Sequence, residues 1–179
     1  MNFEPIVVGD FIIKKFRTEL IAQKYIDWLN DPVLMKYSEQ RHSLHDDQSC
    51  LAYYNSMQTE STLFLSIESV KTMAHIGNIS VSFDFNNSNA DLSILLGDAN
   101  FHKKGVAKIC WSAVINAIFR VYGIRRITAG TMKANKSMVN LMLASGMHID
   151  SERPKHFLLN GDEVPLVTSA IYNPKFTLA

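Results

Sequence analysis

The sequence predicts a mixed α/β fold: a mostly antiparallel sheet with helices on both faces and a single parallel β-α-β unit. Three observations carry this. Residues 63–70, 75–85 and 91–97 are successive β-rich segments separated only by short polar turns, which makes an antiparallel meander. A long apolar-striped helix then leads from the third of these to another short strand at 126–130, so that pair should run parallel through a right-handed crossover. Last, Asn160-Gly161 sits between segments 155–159 and 164–172, a strong hairpin signal. No repeat or linker interrupts the chain, and residues 1–179 read as one domain.

Taken in order, residues 6–16 are apolar and β-rich around Gly9-Asp10, a first strand or hairpin. Thr18 is placed to cap the next helix, in which Leu20, Ile21, Tyr25, Trp28 and Leu29 recur at helical spacing. Asn30-Asp31-Pro32 stops that run and starts a shorter one; a second helical segment follows Ser43, through Leu51 and Tyr54. In the long helix Val106, Ile109, Cys110, Ala113, Val114, Ala117 and Ile118 form a core-facing stripe, closed by Tyr122-Gly123. Asn135 can cap a last helix carrying Met138, Leu141 and Met142 on one face, with Gly146 as its terminator.

Composition narrows the function classes. Lys plus Arg number 18 against 17 for Asp plus Glu, which removes the electrostatic basis for general nucleic-acid binding. The first fifteen residues carry Glu4 and Asp10 and no long apolar stretch, so neither a secretory signal nor a membrane span is read there, and a cytoplasmic protein is expected. Cys50 and Cys110 lack metal-ligand or redox spacing and read as reduced packing residues. The six histidines show no clustering, and no metal site is expected.

The junction His102-Lys103-Lys104-Gly105-Val106-Ala107 has the features of a pyrophosphate cradle. The first turn of a helix leaves N–H groups unpaired and carries partial positive charge, so an anion is stable there. Gly105, lacking a β-carbon, lets the main chain come close to a ligand. Lys103, Lys104 and Lys108 oppose the helix dipole by about 0.3–1 kcal/mol each at a surface, a sign that a bound polyphosphate would reverse. A solvated basic face is the plainer reading of isolated lysines; three around one glycine at a strand-to-helix junction favour a ligand. A P-loop would need Gly-Lys-Ser/Thr where Gly105-Val106-Ala107 stands, and a dinucleotide fingerprint needs three glycines.

This order of elements, with the 102–107 turn, resembles the GNAT superfamily of acetyl-CoA-dependent N-acetyltransferases, whose signature is Gln/Arg-x-x-Gly-x-Gly/Ala. The likeness spans nearly the whole chain. Asn135, eleven residues before Gly146-Met147, resembles the second family signature, an asparagine opening a helix that ends in Gly-Phe or a similar pair. His102 departs from the usual Gln or Arg, and Ala107 takes the permitted alternative to glycine. The resemblance implies acetyl-CoA as acyl-donor co-substrate, gripped by backbone N–H groups from Lys103 through Lys104, Gly105, Val106 and Ala107 to Lys108. Leu95, Leu96 and Gly97 occupy the position where the parallel strands splay and the pantetheine arm pairs with exposed backbone.

In such a family an amine attacks the thioester carbonyl directly, and a main-chain donor holds the oxyanion. Asp91, eleven residues before His102, matches the acidic residue that resembles the general base of the histone-acetyltransferase branch. A solvated strand-end carboxylate is the other reading, with Asp84 and His75 as weaker substitutes. Met142 stands where many relatives place the tyrosine that protonates coenzyme A sulfur, and a thioether has no proton to give. Ser137, or else Ser145, replaces it, or the thiolate leaves to solvent.

For the acceptor, Trp28-Leu29-Asn30-Asp31-Pro32 and Tyr37-x-x-x-Arg41 look similar to two branches: ribosomal-protein N-terminal acetyltransferases, and enzymes acetylating nucleotide-linked amino sugars. The second implies Glu39 on an ammonium and Arg41 on a phosphate; a surface pair of Arg41 with Glu39 or Asp46 is the structural alternative. From another class, a catalytically silent acyl-CoA-binding module is supported by the missing tyrosine. A homodimer is implied by similarity alone.

Overall fold

The structure, a computed structural model, describes residues 1–177. Its strands are β1 (Ile6–Val8), β2 (Phe11–Lys15), β3 (Thr62–Ser69), β4 (His75–Asp84), β5 (Asn89–Leu96), β6 (Arg126–Met132), β7 (His148–Leu159) and β8 (Asp162–Tyr172). They form an 8-stranded sheet in the order β1-β2-β3-β4-β5-β6-β8-β7. The helices are α1 (Gln23–Asn30), α2 (Asp47–Ser56), α3 (Val106–Tyr122) and α4 (Lys136–Ala144). β3 to β5 make the expected meander, with β2 added antiparallel at its β3 edge, β7 and β8 the expected hairpin, and β5 with β6 the parallel pair.

Period-two alternation in β3 sends Leu63, Leu65 and Ile67 to one face and Phe64 to the other. The first face packs under α3, where Val106, Cys110, Trp111, Val114, Ile115 and Ile118 are buried. The second carries an aromatic cluster in which Phe16 and Phe64 meet Tyr25 and Trp28 of α1 and Cys50 of α2. Among the described residues no helix is long and apolar enough to cross a membrane.

Several local readings change. Thr18 lies in a separate 3-10 turn (Thr18–Leu20), and Ile21, with ψ of 78°, breaks the chain before α1 starts behind Ala22 without a side-chain cap. Leu20 and Ile21 pack on the aromatic cluster, a tertiary contact that outweighs helical continuity. After α1, Asp31 Oδ1 accepts from the N–H groups of Val33 (2.8 Å) and Leu34 (3.1 Å), which closes one turn and no helix. Asp46 caps α2 reciprocally with Ser49. On α3, Ile109 is 41% exposed, and Trp111 and Ile115 take the core positions instead. β7 is twelve residues long, exposed along most of its length, so its polar first half carries no apolar alternation to read.

Candidate active site

β5 and β6 pair at only three rungs, Asn89 with Arg126, Ala90 with Ile127 and Asp91 with Thr128. Beyond them β5 follows β4 and β6 follows β8, so the two strands diverge. A cavity of about 600 Å³ opens there, walled by Ile94, Leu95, Gly130 and Met132 and by Asn135 and Met138 at the start of α4.

Backbone direction alternates along a strand. Gly97 N–H donates to Ile76 O at 3.0 Å, so Leu95 and Gly97 turn their main chain towards β4, and Ile94 and Leu96 turn theirs into the gap. The Leu96 carbonyl is already taken: His102 Nε2, which must carry the proton, donates to it at 2.7 Å. Of the expected trio Leu95, Leu96 and Gly97, only Leu96 turns its main chain into the gap, as Ile94 does, while Leu95 lines the cavity without offering that edge. Gly97 is buried for a different reason, since a β-carbon there would overlap the Trp28 indole. His102 acts as a strut between β5 and the turn.

At the turn, Lys103 (φ 58°) and Gly105 (φ 76°) are both left-handed, a geometry that brings successive N–H groups together into an anion nest. Such a φ is strained for lysine and free for glycine. The first intrahelical bond is Ile109 N–H to Gly105 O (3.1 Å), which leaves Val106, Ala107 and Lys108 N–H without an intrahelical acceptor. A β-carbon on Gly105 would meet nothing within 4 Å, so the space above the turn is open. Lys103, Lys104 and Lys108 are exposed and form no ion pair among the described residues. Asn135 caps α4 through Met138 N–H (3.2 Å) and donates to Thr131 Oγ1 (3.1 Å), tying that helix to the end of β6.

Asp91 occupies the last parallel rung and accepts from Thr128 Oγ1 at 2.8 Å. It stays open to solvent but sits in a recess dense with protein, and that partial desolvation raises its carboxyl above the usual range despite the Thr128 bond. Asp91 does not line the cavity; Ser93, the next residue on its face, does, and shares a 2.6 Å hydrogen bond with Ser80. Asp84 is held by Asn87 at the following turn, which lowers its pKa. His75 packs among Phe16, Tyr25 and Trp28, and burial pushes its imidazole down to about 4 against the 3.0 Å bond to Gly77 O.

Ser137 is exposed on the first turn of α4 and does not line the cavity, and neither does Ser145, whose buried hydroxyl has no partner. Met142 is fully buried in the core. Glu39 lines the cavity and is paired with Arg41 at 2.6 Å; Arg41 also donates to Ser38 O and, from β7, Leu158 O. Asp46 serves α2 instead. Sequence reading passed over Tyr25, Tyr53, Asn78, Ser80 and Ser93, which the fold brings to the cavity from α1, α2, β4 and β5. The one available signal was the polar file Asn78, Ser80, Ser82 and Asp84, alternating with Ile79, Val81 and Phe83 along one strand. Among the described residues no group of three or more His, Cys, Asp or Glu could hold a metal ion.

Splayed parallel strands beside a helix N-terminus with converging N–H groups and lysines unpaired among the described residues make a site with the chemistry to receive a diphosphate-bearing co-substrate. Residues 10–148 match the acetyltransferase (GNAT) domain, and the chain belongs to that family: it is an N-acetyltransferase with acetyl-CoA as acyl donor. No curated protein sequence matches it. Its fold is similar to a GNAT-family acetyltransferase from Bacillus anthracis (16% identity, 96% of this chain, 100% of that one, TM-score 0.82). It is also similar to spermidine N-acetyltransferase from Vibrio cholerae in complex with CoA and spermine (16%, 93% and 98%, 0.81). A third similar structure is ribosomal-protein-S5-alanine acetyltransferase from Vibrio fischeri (14%, 98% and 100%, 0.79).

Proposed function

We propose that the acceptor is the primary amine of a nucleotide-linked amino sugar. The observation that carries this is the charge of the cavity: Glu39 is its one carboxylate among the described residues, and Arg41 neutralises it. A polyamine would leave its ammonium groups without counter-charge there. Apart from His45, whose Nε2 is held at Gln40 O, the remaining polar lining is mostly hydroxyl and amide, suited to a sugar. A second cavity of about 720 Å³ shares Leu29, Met35, Ser43 and Leu44 with the first; Asp31, Lys36, Arg41 and His42 stand on its wall, and of these cations Lys36 is the one that no carboxylate pairs among the described residues, a charge for a phosphate.

In this reading the N–H groups from Lys103 to Lys108 hold the coenzyme A diphosphate, and the main chain of Ile94 and Leu96 pairs with its arm. The amine nitrogen attacks the thioester carbon. The oxyanion collapses with cleavage of the C–S bond, and the amine's proton passes by way of water and the Ser80–Ser93 pair to Asp91. With Ser137 off the cavity, the thiolate takes its proton from solvent.

A ribosomal-protein-type N-terminal acetyltransferase is the second reading, favoured by Leu44 (87% exposed) and Leu158 (67% exposed) at the mouth, apolar surface on which a peptide could rest. Thiol release from acetyl-CoA with amino-sugar nucleotides, N-terminal peptides and polyamines in parallel decides between them. Release only with peptides overturns the sugar assignment. Heat protection by acetyl-CoA without release on any acceptor would instead return the silent-module reading.

A further inference from the structure

We propose that Asn78 reads the acceptor, its side-chain amide hydrogen-bonding a neutral hydroxyl or amide group beside the amine that is acetylated. This rests on the acetyl-transfer site above but not on the choice of a sugar.

Asn78 lies in the middle of β4, between Ser66 of β3 and Leu95 of β5, and lines the cavity. It is 4% exposed, and neither Oδ1 nor Nδ2 has a hydrogen-bond partner. Its polar neighbours are committed elsewhere. Ser66 Oγ donates to Glu68 at 2.9 Å, and Glu68 is itself paired with Lys14 at 2.8 Å. Ser80 and Ser93 share one hydrogen bond with each other, and His75 Nε2 is held by Gly77 O. The His75 ring feels the Asn78 amide without meeting it in hydrogen-bond geometry.

An orphaned buried amide is destabilising, and a leucine, of the same branching though larger, would avoid that. An acceptor group seated against the amide supplies the bonds that the strands do not. The amide presents one acceptor and one donor group side by side, so its complement both donates and accepts. A hydroxyl or an amide does so. An ammonium only donates and would strand Nδ2; a carboxylate only accepts and would strand Oδ1.

The test compares wild type with Asn78→Leu and Asn78→Asp in melting temperature, acetyl-CoA protection, and KM and kcat for every acceptor turned over. Asn78→Leu should melt no lower than wild type, keep acetyl-CoA protection, and raise acceptor KM roughly 10- to 100-fold with kcat nearly unchanged. Asn78→Asp should shift preference towards spermidine. A lower melting temperature with unchanged KM would make the amide a structural group and overturn the inference, as would wild-type turnover confined to spermidine. Acetylation of peptides but not sugars would sink only the sugar reading, because the bond next to a peptide's α-amine is an amide and the KM shift is read there. If nothing on the panel is acetylated, titration of ¹⁵N-labelled protein with each acceptor reads the same contact, and an Asn78 side-chain NH₂ resonance unmoved by all of them overturns it.

Discussion

At the turn before α3, what a ligand can meet is main chain: N–H groups of Val106, Ala107 and Lys108, presented by the left-handed Lys103 and Gly105. At the far end of the cavity it meets side chains, Asn78, Ser80, Ser93 and Tyr53, delivered by elements distant in sequence. The first arrangement tolerates almost any side chain provided one glycine is kept. The second changes with each substitution. A shared co-substrate and a variable acceptor call for this division, because backbone is the part of a protein that mutation alters least.

The contrast breaks most visibly at Gly105. Gly105→Val forces a branched residue to φ 76°, strained by roughly 1–2 kcal/mol, and fills the open space over the turn. Acetyl-CoA should then no longer raise the melting temperature, while the free protein melts only a few degrees lower; surviving protection would refute the main-chain cradle. Next in size is Asp91→Asn, expected to lower kcat about 100- to 1,000-fold with acetyl-CoA protection intact. Because the Asp91 carboxyl is pushed above its usual value, wild-type activity should rise with pH through that raised pKa, a limb the variant lacks. Identical pH profiles would remove Asp91 from the chemistry.

Acid acts at a third place, the aromatic cluster behind the cavity. The His75 imidazole, brought down to about 4, stays neutral in the fold where an unfolded chain protonates near 6.5. Its contribution is complete above pH 6.5 and is lost as pH falls from there towards 4, at most about 3 kcal/mol. His75→Phe should flatten that loss in denaturant midpoints measured between pH 7 and 4.5, and an unchanged slope would assign it to other groups. The smallest effect belongs to the lysines. Lys103→Ala and Lys104→Ala should each weaken acetyl-CoA binding about two- to fivefold at low salt, fading as salt rises.

What could be read in advance follows the same division. The 91–130 unit was legible because glycine, lysines, strand and helix are contiguous, and local geometry alone makes the anion site. Which backbone edge faces the gap was not: it depends on one parity choice, fixed by Gly97 N–H pairing with Ile76, and it exchanges Ile94 for Leu95. Asn78 stood in plain sight as a polar residue in a strand, but its lack of partners is a property of three strands together. Thr18 misled because the packing of Leu20 and Ile21 on the aromatic cluster, which breaks the helix there, is decided from outside the segment.

Trp28 rests on Gly97 so closely that no larger residue fits beneath it. The first helix is thereby bolted to the end of the strand beside the co-substrate, and neither can drift without the other. A shift of that helix would carry the end of β5 with it, so the wall between them changes shape with least disturbance by exchange of single side chains.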